Sequence, residues 1–206
     1  MASYVIHLIV ASEINKVIKK DNNDLLIGSI APDLWKLIDE DKMKGHFLDK
    51  RNNIPNLNRF INKYKSYFNN DFVIGYYIHL YTDYLWFKYF WPSKYHDGVL
   101  IDKNKNLIKC SERKALDNLY NDYGYSNPFL IKDYKLNINN LNENNLKNTI
   151  VDEIPISKIS ILMDKVKLFC SKEKNQENYI ISINELEKFI NDSKDIILKD
   201  LLTLIK

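Results

Sequence analysis

The alternation of apolar and polar positions divides the first forty residues into helical segments. Ser3 is typical of a helix N-cap, and apolar residues recur at helical spacing from there to about Lys20. A polar break at 22–24 follows, and then comes the apolar segment LLIGSIAPDLWKL. This segment predicts a short helix that is interrupted near Pro32, because proline disfavours helical geometry in the residue before it.

The same pattern continues to the C-terminus and predicts a chain built mainly of helices. Helices are expected over 57–67 and over the aromatic segment 71–91, with a polar surface loop at 38–55 before them. The later segments comprise a turn with the sequence WPSKYHDG, a short β-hairpin between 99 and 110, a helix from Ser111 that ends at Gly124, a weak helix or loop at 137–145, a helix from Ser157 towards Phe169, a solvated loop at 171–178 and a final helix capped by Ser182 and Glu185.

Together these segments predict an all-α fold, with about eight helices in a single domain over residues 1–206. The composition agrees, because 45% of the residues are hydrophobic, 28% are charged, and only 5 Gly and 5 Pro are present. Few glycines and prolines argue against a loop-rich or all-β protein. The net charge of +3 is small and no dense basic patch occurs, so no nucleic-acid partner is predicted.

Cysteine usage and the apolar segments bear on the compartment. Cys110 and Cys170 lie sixty residues apart, form no zinc-knuckle or redox spacing, and are expected to be reduced thiols. The N-terminus lacks the basic region of a secretory signal. The segment 71–91 is long enough to span a bilayer, but His79, Asp83 and Lys88 within it disfavour a transmembrane helix. The sequence therefore predicts a cytoplasmic protein without a transmembrane segment.

His79 and Asp83 are the most informative residues of the chain. A spacing of four residues places both side chains on one face of a helix, one turn apart. An ionised carboxylate inside an apolar helix is costly unless a cation or strong donors meet it. A histidine and a carboxylate so arranged suit a divalent metal ion, whereas a structural hydrogen bond between them is the alternative interpretation.

Three further residues carry ligand chemistry next to apolar neighbours. His7 lies within the first helix, Asp33 follows Pro32, and His46 lies in KGHFLD. Taken singly, they are a core histidine, a helix N-cap and a surface histidine. Taken with the pair on the aromatic helix, they form a reasonable ligand set for one or two Zn²⁺ ions, with Mn²⁺ or Fe²⁺ as alternatives. Such ions lower the pKa of bound water to about 7 and stabilise charge on a phosphoryl oxygen.

The order of these motifs resembles a known family. The segments YVIHLIVA, LIGSIAPDLW, KGHF and GYYIHLYTD, all within the first ninety residues, are similar to the motifs of the zinc-dependent phospholipase C family, which includes bacillary phospholipase C and clostridial alpha-toxin. The resemblance implies an all-α fold with a zinc cluster that cleaves a phosphodiester, metal-bound hydroxide attacking phosphorus. The implied substrate is a small phosphoester or a phospholipid.

The resemblance also implies individual roles for the matching residues. Asp33, His46, His79 and Asp83 are expected to hold one ion. His7 and Asp83 are expected to help hold a second ion, so that Asp83 bridges the two. Asp33 is in addition the expected general base towards the attacking water.

The chain departs from the family pattern in its ligands beyond Asp83. The family has another histidine where this chain has Tyr89, and it then has a later His-x-x-x-Glu helix, whereas no histidine follows His96 here. His96 and Glu112 are therefore tentative replacement ligands. The family's N-terminal tryptophan, whose backbone binds metal, is also replaced, since this chain starts MASY.

Two other functions are compatible with these residues. The dyad His96–Asp97 is the kind of pair used by HD-type phosphohydrolases, although it lies beside a glycine in an expected turn. The missing downstream ligands instead favour a catalytically degenerate helical protein that binds a metal or a partner. The leading prediction is a metal-dependent phosphoester hydrolase.

Overall fold

Helices dominate the computed structural model, which describes residues 1–38, 42–49, 53–146, 150–170 and 178–205. The prediction of an all-α fold with about eight helices is confirmed. The α-helices in these ranges are α1 Tyr4–Ile18, α2 Asn22–Gly28, α3 Lys42–Gly45, α4 Leu57–Tyr64, α5 Asp71–Leu85, α6 Glu112–Asp133, α7 Ile159–Cys170 and α8 Ile183–Leu204.

Short segments of other helix types extend or connect the α-helices. A π-helical segment follows α5 directly, and the 3₁₀ segments mostly precede or follow an α-helix. The π-helix is Trp86–Phe90, and the 3₁₀ segments are Ala31–Lys36, Lys65–Tyr67, Trp91–Ser93, Glu143–Asn145 and Ile156–Lys158.

A small antiparallel sheet interrupts the helices. Its strands β1 Tyr95–His96, β2 Val99–Ile101 and β3 Leu107–Lys109 are hydrogen-bonded in that order. The register pairs Ile101 with Leu107, so the predicted β-hairpin between 99 and 110 is confirmed. The WPSKYHDG segment, predicted as a turn, also contributes β1, which pairs with β2.

The aromatic helix α5 is the centre of the core. Almost every side chain from Phe72 to Leu85 is buried. Helix α2 packs along α5, and α1, α4 and α8 also contact it. Because α5 is covered on all these sides, its near-continuous apolar sequence is that of a buried helix and not of a membrane span. No helix in the described ranges is long and apolar enough to cross a bilayer.

Two glycines allow α2 and α5 to touch backbone to backbone. A Cβ atom at Gly75 would lie 2.0 Å from the carbonyl oxygen of Leu25, and one at Gly28 would lie 2.3 Å from that of Phe72. Any side chain at either position therefore pushes the helices apart. The close approach brings Ser29, which follows α2, beside α5.

Local capping explains several helix starts. The Ser3 hydroxyl accepts a hydrogen bond from the Ile6 amide at the start of α1, as predicted. Ser182 and Glu185 form the predicted capping box of α8. The expected polar break at 22–24 is wrong, because Asp21 caps the amides of residues 23 and 24 and so starts α2 there.

Three predicted boundaries are also wrong. Helix α6 continues through Gly124 and Pro128 to Asp133. The helix has buried residues on both sides of Gly124, and this tertiary packing outweighs the low helix propensity of glycine. The helix predicted over 71–91 changes at Leu85 into the π-helical and 3₁₀ segments, the latter containing Pro92. Helix α7 starts two residues after Ser157, and the predicted loop at 171–178 lies outside the described residues except for Asn178.

Asp122 on α6 binds the segment 179–181, which precedes α8. Its buried carboxylate accepts hydrogen bonds from the amides of Tyr179 at 2.7 Å, Ile180 at 2.7 Å and Ile181 at 3.0 Å. We expect Asp122→Ala to lower the free energy of unfolding by about 2 kcal/mol, because buried amides lose their acceptor. Urea unfolding followed by circular dichroism measures this. Asp122→Asn keeps one acceptor oxygen and is expected to lose less; equal stability of the alanine variant and the native protein contradicts the prediction.

Candidate metal centre

Helices α1 and α5 bring three of the predicted ligands together. His79 and Asp83 lie one turn apart on α5, and His7 faces them from α1. The imidazole rings of His7 and His79 stack with centroids 3.9 Å apart and an angle of 15° between their planes. His7 Nε2 lies 3.4 Å from Asp83 Oδ1. All three side chains are fully buried.

The 3₁₀ segment Ala31–Lys36 and helix α3 supply the other two predicted ligands. Asp33 lies within that 3₁₀ segment, and His46 follows α3 directly. Asp33 Oδ1 lies 3.1 Å from His46 Nε2, and Asp83 Oδ2 lies 3.9 Å from the same nitrogen. The prediction of a polar surface loop over 38–55 is wrong here, because α3 lies within it and residues 45–48 are buried, with His46 only 1% exposed. Residues 39–41 and 50–52 of that loop lie outside the described ranges.

Backbone carbonyls fix the orientation of two histidine rings. His79 Nδ1 lies 2.8 Å from Ser29 O, and His46 Nδ1 lies 3.2 Å from Lys42 O. A carbonyl oxygen only accepts hydrogen bonds, so the proton of the neutral His79 ring is on Nδ1 and its Nε2 presents a lone pair to the carboxylates in the centre of the cluster. His46 lies between two acceptors, because its Nε2 is 3.1 Å from Asp33 Oδ1, and its Nε2 is free for a metal when the proton is on Nδ1. This arrangement, with a carbonyl behind the ring, is typical of metal-binding histidines.

Several buried polar atoms in this cluster lack a hydrogen-bond partner among the described residues. A buried polar atom without a partner is costly and requires an explanation. Because these atoms are histidine nitrogens and carboxylate oxygens, divalent cations among them would satisfy one nitrogen of each ring and the carboxylate oxygens. The atoms are His7 Nδ1 and Nε2, His79 Nε2, Asp33 Oδ2 and Asp83 Oδ2.

The ligand atoms fall into two groups that share His79. The members of each group lie within 4.8 Å of one another, which is close enough for each to face a single ion. Nitrogen and carboxylate oxygen ligands are those that zinc accepts, so the residues present fit this metal. The groups are His7, His79 and Asp83, and Asp33, His46 and His79.

Burial and neighbouring charges set the protonation of these groups. Burial lowers the pKa of His46 and, more strongly, that of His79, which keeps both rings neutral. Burial opposes ionisation of Asp33, but the Lys36 ammonium and His46 outweigh it and hold the pKa of Asp33 well below its usual value. Burial likewise opposes ionisation of Asp83, but the neighbouring His7 outweighs it and lowers the pKa of Asp83. Neutral imidazoles and ionised carboxylates are the forms that bind metal.

The two tentative ligands are not part of this cluster. His96 lies in β1 with its side chain 76% exposed, and its Nε2 is 3.0 Å from Asp97 Oδ2. Glu112, at the start of α6, is exposed and lines a cleft next to Met1. Neither belongs to the two ligand groups. The His96–Asp97 dyad of the HD-type alternative thus lies at the surface.

Sequence patterns missed several groups that contact the cluster. Lys36 Nζ lies 2.7 Å from Asp33 Oδ1, a contact signalled only by the three-residue spacing within one turn. The Ala2 amide donates a hydrogen bond to Asp83 Oδ1 at 3.3 Å. Tyr123 donates a hydrogen bond from its hydroxyl to the carbonyl of Met1 at 2.9 Å, which holds the first residues against α6. No local signal in the sequence indicates the last two contacts.

Comparison with protein families gives one result that covers most of the chain. The sequence model of zinc-dependent phospholipase C matches residues 6–201. The chain belongs to the zinc-dependent phospholipase C family. The match extends far beyond the first ninety residues, where the motifs of the family were recognised, and includes the whole cluster. Membership supports a metal-dependent phosphoester hydrolase in general and zinc as its metal. No curated protein and no solved structure gives a significant match.

Proposed function

We propose that residues 1–206 form one hydrolase domain that cleaves a phosphoester with zinc at the cluster. One observation carries this proposal: five buried side chains from four separate segments converge, and nitrogens or oxygens of four of them lack a hydrogen-bond partner among the described residues. Such buried atoms are costly unless a cation lies among them. We further infer a cytoplasmic location, which the free thiols Cys110 and Cys170 favour.

We propose that the cluster would hold two ions and that Asp83 would be a ligand of both. Its Oδ1 lies 3.4 Å from His7 Nε2, whereas its Oδ2 lies 3.7 Å from His79 Nε2 and 3.9 Å from His46 Nε2. The two oxygens therefore face different histidines. Asp33, His46, His79 and Asp83 would hold one ion, and His7 and Asp83 would help hold the second. Zinc is the expected metal; Mn²⁺ and Fe²⁺ are alternatives for the same donors.

The protein side of the reaction follows from the arrangement of these residues. Zinc held by these residues would lower the pKa of a bound water to about 7 and would stabilise negative charge on a phosphoryl oxygen. Asp33 keeps Oδ2 without a hydrogen-bond partner in the described structure, and we propose that it accepts the proton of the attacking water. Ser29 and Lys42 hold the rings of His79 and His46 through their carbonyls.

A catalytically inactive metal-binding protein is the second candidate function. It is favoured by the position of His96 and Glu112 outside the two ligand groups. An inactive protein binds zinc without turnover, so the two candidates differ in one measurement.

The test is turnover by purified protein loaded with zinc. We expect hydrolysis of bis(p-nitrophenyl) phosphate or of short-chain phosphatidylcholine, loss of hydrolysis after dialysis against a chelator, and recovery when Zn²⁺ is added back. Zinc content is measured on the same samples. Undiminished turnover by metal-free protein contradicts the metal mechanism, and full zinc loading without turnover of any phosphoester supports the inactive alternative.

A further inference from the structure

A cleft with a volume of about 480 Å³ opens beside the metal centre. It is lined by the first residue of the chain, by two lysines and by aromatic residues from the π-helical segment, the following 3₁₀ segment and α6. A substrate with its phosphorus at the cluster has this cleft next to it. We call it the lysine cleft, and its main lining residues are Met1, Lys36, Lys42, Phe87, Trp91 and Tyr120.

Lys36 connects the lysine cleft to the cluster. Its ammonium group lies 2.7 Å from Asp33 Oδ1, and its side chain is 29% exposed. The charged end is therefore at the proposed reaction centre, and the same residue is among those that line the cleft. A phosphate oxygen that enters from the cleft meets this ammonium group.

Lys42 places a second positive charge in the same wall. The residue is half-buried at the start of α3, and no carboxylate of the described residues lies within 4.0 Å of its ammonium group. The charge of Lys36 is compensated by Asp33, whereas that of Lys42 has no such partner among the described residues, so an anion in the cleft would stabilise it. Glu112 is the one acidic side chain among the cleft's described lining residues, and it is exposed.

The charges favour an anionic ligand over a cationic one. A quaternary ammonium headgroup would meet the two ammonium groups of Lys36 and Lys42, which repel it. An additional phosphate or carboxylate would instead form charge-assisted hydrogen bonds with them. The aromatic wall of Phe87, Trp91 and Tyr120 can contact the apolar part of the same molecule.

We propose that Lys36 and Lys42 form a subsite for a second anionic group of the substrate, so that the protein prefers phosphoesters with anionic headgroups to zwitterionic ones. This inference rests on the proposed phosphoesterase function. The shared chemistry is a phosphoester with one further negative charge, carried either by a phospholipid headgroup or by a soluble metabolite.

The experiment compares zinc-loaded native protein with Lys42→Met, which keeps the alkyl chain and removes the charge. The substrates are dihexanoyl phosphatidylserine, dihexanoyl phosphatidylcholine and the lipid-free p-nitrophenyl phosphate. We expect the kcat/KM ratio of the serine lipid to the choline lipid to fall roughly tenfold in Lys42→Met, mostly through KM. Lys16→Met, at an exposed lysine paired with Glu13, is the control and is expected to keep the native ratio.

The outcomes separate this inference from the proposed function. Equal kcat/KM values of Lys42→Met and native protein for all three substrates overturn the anionic subsite while the hydrolase stands. A lowered ratio between the two lipids supports a lipid headgroup, whereas a change confined to p-nitrophenyl phosphate assigns the subsite to soluble phosphate.

A binding measurement covers the case in which no substrate is turned over. Isothermal titration calorimetry with phosphoserine and with inorganic phosphate then tests whether the anion subsite exists. Binding that Lys42→Met weakens roughly tenfold keeps the anion subsite and removes only the hydrolase proposal. The absence of binding to native protein, or equal binding to both proteins, overturns the subsite as well.

Discussion

Asp83→Ala is expected to leave the purified protein with almost no zinc and to reduce phosphoester turnover roughly a thousandfold or more. The two oxygens of Asp83 face His7, His46 and His79, so its removal takes a ligand from both proposed ion positions. Elemental analysis gives the zinc content, and initial rates give the loss of turnover. Asp97→Ala removes a carboxylate that is 85% exposed and is expected to keep both native values.

Thermal unfolding separates lost metal binding from a damaged fold. In metal-free protein, the Asp83 carboxylate is buried with one oxygen unsatisfied, and relief of this cost offsets the lost hydrogen bond from the Ala2 amide, so the alanine variant is expected to be about as stable as the native chain. Added zinc should raise the Tm of the native protein but not that of the variant, because a ligand stabilises only the state that binds it. If the native protein and Asp83→Ala contain the same amount of zinc and show the same rise in Tm when zinc is added, the metal assignment is wrong.

Gly75→Ala is expected to lower the free energy of unfolding by about 3 kcal/mol and to weaken zinc binding as well. The new Cβ would lie 2.0 Å from Leu25 O and 2.9 Å from Ser29 N, which are backbone atoms that cannot turn away. Helices α2 and α5 must separate. The separation moves the Ser29 carbonyl, which lies 2.8 Å from His79 Nδ1, and so disturbs the orientation of a ligand.

A second glycine provides the matched control for this substitution. Alanine is a better helix former than glycine by about 1 kcal/mol, so Gly75→Ala also gains local helix stability that partly offsets the clash. Gly124 lies in the partly exposed interior of α6, and Gly124→Ala is expected to show mainly this gain. Denaturant unfolding and zinc titration of both variants test the prediction. A Gly75→Ala protein as stable as the Gly124→Ala protein contradicts the close helix contact.

Local interactions were predictable from the sequence. Ser3 and Ser182 start their helices through hydrogen bonds to amides within the same turn, so the pattern suffices to find them. The candidate ligands were found for a related reason. His79 and Asp83 are polar residues in an otherwise apolar helix, and their burial has a cost that points to a common partner.

Features that depend on distant contacts were missed. His46 lies in a polar segment, yet it is buried because Phe47 beside it packs against Phe60 and because Tyr76 donates a hydrogen bond to the carbonyl of Gly45. The continuation of α6 past Gly124 likewise depends on tertiary packing. The burial of His46 and the length of α6 both depend on residues that are distant in sequence, so hydrophobic periodicity alone does not predict them.

The unsatisfied atoms of the cluster have a consequence for the life of the protein in a cell. If zinc binds there, the metal-free chain is the less stable form, and its unfolded fraction grows as free zinc declines. Quality-control proteases degrade unfolded chains, so the steady-state amount of the protein follows the supply of metal. In a cell that lacks zinc, we therefore expect the metal-free protein to be degraded without any dedicated zinc sensor.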